Sequence, residues 1–206
     1  LEGLIELAQQ LMDVKSLIQW GGIIGITAIV FVETGLFFGF FLPGDSLLVT
    51  AGILAAAGEL HIAWLLIFPT IAAIAGDQTG YVIGWRAGEA LGVRYAKFKM
   101  HLDRAHLFYE KYGAKTIVFA RFVPIVRTFV PAVAGAARMN YRTFVTYNIL
   151  GGLLWVFSTT LLGYSIGNAI PDVDRYLHIV IAVVVLLSIM PAVLEWYKHR
   201  KSAMSS

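Results

Sequence analysis

Residues 120–135 read ARFVPIVRTFVPAVAG: two arginines and two prolines inside an otherwise apolar stretch. The composition around it is that of a membrane protein. Of 206 residues 58% are hydrophobic and 14% charged, with a mean hydropathy of +0.74, where soluble domains carry about 25% charged residues. An arginine at membrane depth costs roughly 2.5–3.5 kcal/mol even on the mildest insertion scale, so it marks a site. Proline removes backbone hydrogen bonds, and Pro124 and Pro131 argue against one smooth helix. Irregular backbone survives in a bilayer only where protein or a water-filled cavity surrounds it. The segment is therefore expected to be a broken, re-entrant element that carries positive charge into the membrane.

The distribution of charge predicts the threading. No Lys or Arg occurs between Ser16 and Trp85, while residues 86–115 hold seven Lys/Arg against three acids, and Lys198, Arg200 and Lys201 follow the last apolar run. The positive-inside rule puts both basic clusters in the cytoplasm. A crossing helix needs roughly 20 apolar residues, and residues 17–33, 62–85, 144–166 and 177–197 qualify, the first being short. Four crossings leave both termini cytoplasmic. Two apolar segments remain, 35–57 and 116–137, and each must enter and leave on one face. The expected fold is an all-α polytopic membrane protein with about four transmembrane helices and two opposed re-entrant hairpins. The N-terminal residues include acids and no basic region, so no cleavable signal is expected there.

The two parts resemble one another. Phe41-Leu42-Pro43 matches Phe122-Val123-Pro124, and Gly80-Tyr81-Val82-Ile83-Gly84 matches Gly163-Tyr164-Ser165-Ile166-Gly167. With the expected threading the halves are inverted, the plan of many secondary transporters. A single membrane domain over 1–206 then comprises one half at about 31–88, a linker at about 89–115, a second half at about 116–170 and a C-terminal helix at about 177–197. Tyr95, Phe98, Leu102, Ala105, Tyr109 and Tyr112 follow helical spacing among basic residues, which predicts an amphipathic helix on the inner surface. Gly76, Gly80, Gly84 and Gly88 form one small-residue stripe suited to close packing.

Charge balance selects the candidate site. Glu33, Asp45 and Asp77 have no basic partner in their own half, and Arg121 and Arg127 are the cations inside the apolar segment of the other. An unpaired buried charge is very costly, so these groups are expected to converge. The arrangement fits either a static lock or a site for a charged substrate. Arginine offers a planar fork of donors that matches phosphate or carboxylate. Carboxylates in apolar surroundings can bind and release protons near neutral pH. Gly44 and Gly135 suit hairpin turns. The absence of cysteine excludes disulfides and thiolate metal sites, and the scattered histidines suggest no metal centre and no cofactor. Asp45 and Asp77 as a protease pair would leave the arginines unexplained, so no enzymatic activity is expected. A net charge of +3 gives no basis for nucleic-acid binding.

Glu33, Phe41-Leu42-Pro43-Gly44-Asp45, Gly76-Asp77-Gln78-Thr79-Gly80-Tyr81 and the run from Phe119 through Arg121, Pro124 and Arg127 to Thr128, in that order, resemble the bacterial DedA family. So do Pro131, Ala134-Gly135, Met139, Phe144 and Asn148-Ile149-Leu150-Gly151, and the likeness covers about residues 31–168. That family shares the VTT or SNARE-associated domain with eukaryotic lipid scramblases. The resemblance implies an inner-membrane protein with two opposed re-entrant hairpins, a part in proton-motive-force-dependent membrane maintenance, and, in some members, movement of undecaprenyl phosphate or an association with phosphatidylethanolamine. The family's functional acids fall on Glu33 and Asp45 and its functional arginines on Arg121 and Arg127.

The expected function is transport of a phosphate-bearing lipid, undecaprenyl phosphate first, across the bacterial inner membrane with proton coupling. Arg121 and Arg127 bind the headgroup, Glu33 and Asp45 carry protons, and Asp77 and Asn148 support them. Pro43, Gly44, Pro124, Pro131 and Gly135 shape the hairpins. The partners are then the bilayer, an anionic lipid and protons, with the oligomeric state left open. The alternatives are a flippase or scramblase of a phospholipid such as phosphatidylethanolamine, a proton-coupled small-solute transporter, and a non-transporting assembly factor.

Overall fold

The computed structural model describes residues 14–36, 44–94, 113 and 115–169, and every described element is helical. These are α1 (Val14–Gly35), α2 (Gly44–Ala56), α3 (Ile62–Arg94), α4 (Lys115–Ala120), α5 (Pro124–Ala136) and α6 (Tyr141–Ala169). Pro43, the amphipathic stretch 95–112 and the C-terminal apolar run 177–197 lie outside the described residues.

Among the described residues two helices are long and apolar enough to cross a membrane, Ile62–Gly88 and Tyr141–Ala169. They contain the expected crossings 62–85 and 144–166. The expected first crossing, 17–33, is not one straight helix. Gly22 takes φ 51 and ψ −148, a conformation open to glycine and strained for other residues. The kink leaves Gly21–Gly35 as the straight apolar part, shorter than a full span. The 13-residue α2 buries Gly44 and every residue from Ser46 to Ala55. At about 1.5 Å per residue it is too short to cross, and a helix apolar all round belongs in a core.

Pro124 breaks the second segment where expected. A residue before proline is driven out of the helical region, and Val123 is extended at φ −111, ψ 106. The chain leaves α4 through tight turns: Arg121, Phe122 and Val123 each donate to the carbonyl three residues back, at 3.3, 3.1 and 3.0 Å. Pro124 then opens α5, where a missing N–H costs nothing. Pro131 lies inside α5 without ending it. It does remove the N–H that Arg127's carbonyl would otherwise accept. The helix ends at Ala137–Arg138: Met139 N donates to Ala134 O and Arg138 N to Gly135 O, both at 3.0 Å, with Arg138 at φ 55 in the position glycine usually takes. Asn140 caps α6, its Oδ1 accepting from Arg142 N at 3.0 Å and Thr143 N at 3.3 Å. Asn140→Ala is expected to cost about 1 kcal/mol of stability, read by denaturant unfolding in detergent.

The two 13-residue helices, α2 and α5, each pack on the long helix of the other half, and the two contacts repeat the same pattern. A Cβ added at Gly135 would stand 2.9 Å from Trp85 N and collide with Tyr81 O; one at Gly52 would stand 2.9 Å from Tyr164 N and collide with Thr160 O. Gly84 likewise admits Ala132 as Gly163 admits Val49. Gly88 meets Ala136, and Gly167 meets Ile53 and Ala56. By packing, Gly84 corresponds to Gly163 and Gly88 to Gly167. The sequence match paired Gly80 with Gly163, so it is one helical turn out of step. Gly135 is thus a packing glycine within α5, not a turn residue. Earlier in the stripe, Gly76 packs on α1, where a Cβ at Gly35 would reach within 3.0 Å of Gly76 Cα.

Polarity runs opposite to that of a soluble protein. Glu33, Asp77, Arg121, Arg127 and Asn148 are buried, while Ile24, Ile71, Phe119, Leu154 and Leu162 are exposed. Apolar exposure on this scale marks a surface made for lipid.

Candidate functional site

The buried charges form two centres, both anchored by the broken segment. In the first, Arg127 on α5 reaches across to the other half. Its Nη1 donates to Asp45 Oδ1 at 2.8 Å and its Nη2 donates to Glu33 Oε1. Asp45 sits in the first turn of α2, where the helix dipole favours a negative charge. Glu33 comes from the end of α1 and lies against Gly44, where any Cβ would collide with its carboxylate. Gly44 therefore serves close approach: it lets the Glu33 carboxylate lie beside the start of α2.

Trp155 on α6 completes this centre. Its ring lies under the guanidinium, 4.7 Å from Arg127 Cζ to the centroid, and its Nε1 donates to Asp45 Oδ1 at 2.7 Å. Asp45 Oδ1 thus accepts from both Arg127 and Trp155. The side chain of Asp45 is 24% exposed, against 7% for Arg127 and 1% for Glu33, so access to this centre is on the Asp45 side.

The second centre is closed. Arg121, at the break itself, donates from Nη2 to Asp77 Oδ2 on α3 and to Asn148 Oδ1 on α6, the latter at 2.6 Å. Asn148 Nδ2 in turn donates to Ile74 O at 3.1 Å. Gly151 and Gly152 clear space for the arginine: a Cβ at Gly151 would lie 3.0 Å from Arg121 Cδ, and one at Gly152 3.5 Å from its Nη1. The charged side chains here are 4–5% exposed. The two arginines lie on the same broken segment, one at the break and one in the first turn of α5.

The expected convergence of acids and guanidinium groups therefore takes a divided form. Glu33, Asp45 and Arg127 come together; Arg121 joins Asp77 and Asn148. The two arginines do not share a partner. Nor do Asp45 and Asp77, which engage different arginines and do not form a carboxylate pair. Among the described residues, Glu33 Oε2, Arg127 Nε, and Arg121 Nε and Nη1 are buried with no hydrogen-bond partner. Both centres hold more hydrogen-bonding capacity than their own members use.

Sequence reasoning passed over Trp155. The signal available was spacing: Asn148, Gly151, Gly152 and Trp155 fall on one face of α6, and a buried indole N–H needs an acceptor.

The site residues from Pro43 to Trp155 lie inside a single family match, the VTT domain, which covers residues 42–165. The chain is 47% identical over 180 residues to Protein DedA of Escherichia coli K12, spanning 85% of this chain and 82% of that protein. The chain belongs to the DedA family. It is also 43% identical over 190 residues to an uncharacterized membrane protein of Mycobacterium tuberculosis, covering 88% of this chain and 83% of that one. Inner membrane protein YqjA of Escherichia coli K12 is 37% identical over 145 residues, 68% of this chain and 65% of YqjA. No solved structure matches. This is a protein of a membrane family, consistent with its lipid-type surface and buried charges.

Proposed function

We propose that this DedA-family chain is a flippase for a phosphate-bearing lipid, undecaprenyl phosphate first among them, driven or gated by protons. The observation that carries the reading is one guanidinium shared by two carboxylates, only one of which is partly exposed. Arg127 cannot hold Glu33, Asp45 and a phosphate together in a low-dielectric setting without excess negative charge. Protonating the carboxylates releases the guanidinium fork, and a phosphate with its several acceptor oxygens takes their place. Losing the protons on the other side restores the ion pairs and expels the headgroup. The lipid tail stays in the bilayer, so alternate access is needed only for the headgroup.

We assign the membrane arrangement on the same footing: an inner-membrane, multi-pass protein with cytoplasmic termini, and α2 and the α4–α5 pair as opposed re-entrant hairpins of an inverted repeat. The shortness of α2, the break at Pro124 and the matching glycine contacts support it. A protein with its site between two such repeats has the plan of many secondary transporters.

The sign of the coupling follows from the site. Protonation favours substrate, so the acidic side loads. In vesicles carrying headgroup-labelled polyprenyl phosphate, transport is expected to speed up when the loading side is made the more acidic. Glu33→Gln, which cannot exchange a proton, is expected to lose most of that acceleration. Wild-type vesicles flipping no faster than protein-free ones remove the reading. Equal rates for phosphatidylethanolamine and phosphate lipids turn it toward the phospholipid alternative.

A further inference from the structure

Resting on the transport reading, we propose that Trp155 is the positioning residue of the Arg127 centre, the partner that both Arg127 and Asp45 keep while a phosphate headgroup enters and leaves. Exchange of a carboxylate for a phosphate at Arg127 passes through a moment when Asp45 has lost the guanidinium. At that moment the buried guanidinium is between partners and a carboxyl oxygen of Asp45 has lost a donor, and both losses are unfavourable. Trp155 supplies one partner to each side of the broken pair. Its N–H is already on Asp45 Oδ1 at 2.7 Å, and its ring already faces the guanidinium at 4.7 Å. These two contacts use different parts of the indole, its edge and its face, so neither is given up when the other is in use. The face contact leaves the edge of the guanidinium fork open to oxygen ligands.

The placement comes from a third helix. Arg127 and Asp45 belong to α5 and α2, whereas Trp155 is carried by the long α6, on which α2 packs through Gly52 and Gly163. Trp155 is 1% exposed. Asp45 is the exposed member of the centre, and so the carboxylate expected to yield first. The N–H on its Oδ1 limits how far it swings and returns it to Arg127 when the headgroup departs.

Isotope-labelled protein in vesicles of zwitterionic phospholipid gives the test, with the Trp155 indole N–H resonance assigned by its loss in Trp155→Phe. Asp45→Asn is expected to shift that resonance in the absence of any substrate. A resonance that stays in place means Asp45 does not hold the indole, and overturns the proposal whether or not lipid moves. Adding a long-chain alkyl phosphate, but not the matching alcohol, is expected to shift it again in wild type. In flipping assays normalised to folded protein, Trp155→Phe keeps a ring and loses the N–H. Its maximal rate is expected to fall about tenfold, the scale of one hydrogen bond to a charged group, with a smaller change in half-saturation. Trp155→Leu loses both contacts and is expected to weaken half-saturation as well. Wild-type values in Trp155→Phe overturn the positioning role. Indole shifts with Asp45→Asn, but no flipping by wild type, would sink the transport reading while leaving the Arg127–Trp155–Asp45 contact standing.

Discussion

Arg127→Ala is expected to reduce flipping of a phosphate-headgroup lipid by at least about a hundredfold. A charge-assisted hydrogen bond contributes about 1.5–3 kcal/mol, and a fork that meets phosphate through two of them is worth several kcal/mol, each 1.4 kcal/mol being tenfold. The same change strands Glu33, whose Oε1 has Arg127 as its partner, and leaves Asp45 with Trp155 alone. Loss of transport therefore has two sources, and Arg127→Lys separates them. Lysine keeps the charge near both carboxylates but presents a compact ammonium in place of the planar fork. It is expected to restore folding and leave transport well below wild type. Full activity in Arg127→Lys would show that charge alone suffices, and full activity in Arg127→Ala would remove Arg127 from the mechanism. A non-transporting assembly factor predicts that the lysine variant is harmless in cells and that neither variant changes a flipping rate.

The break at 121–123 was legible because it depends on local chemistry: Val123 precedes a proline, and that rule acts within two residues. The meeting of Arg127 with Glu33 and Asp45 was legible for a different reason, since buried acids without local cations must find them elsewhere. Charge balance did not determine the pairing itself. Three acids and two arginines satisfy it in several ways, and the division into two centres depends on which helix each side chain leaves and at what height. The contact register escaped for a related reason. Glycines at 76, 80, 84 and 88 make a stripe whose spacing is unchanged by a slide of one turn, and the shared Tyr and Ile of 80–84 and 163–167 favoured the match of Gly80 with Gly163 over the packed match of Gly84 with Gly163. Gly22 is a similar case, because a Gly-Gly pair permits a kink without requiring one. Trp155 was hidden by its apolar surroundings, which gave no hint of an acidic partner 110 positions away.

Removing Arg121 is expected to act on folding more than on headgroup affinity, and the proof lies in whether a second change repairs it. Arg121→Met leaves Asp77 as a buried charge without its guanidinium, a loss of about 3–5 kcal/mol by analogy with broken buried pairs. Asp77→Leu in the same protein removes the stranded charge, and replacing both members of a buried pair by apolar groups of similar volume is often neutral. The double variant is then expected to regain most of the stability, short by about 1 kcal/mol for the hydrogen bond that Asn148 Oδ1 loses. At the Arg127 centre, Arg127→Met with Glu33→Leu removes the buried pair in the same way and leaves the part-exposed Asp45 with Trp155, so it is expected to recover much of its stability, yet the centre has no cation left to meet a phosphate. Unfolding and flipping measured on both double variants give a clean contrast. Stability and transport returning together at Arg121 and Asp77 identify that centre as a lock on the broken segment. Stability returning without transport means that the unused donors on Arg121 also meet the headgroup, and that the two arginines act in succession along one path.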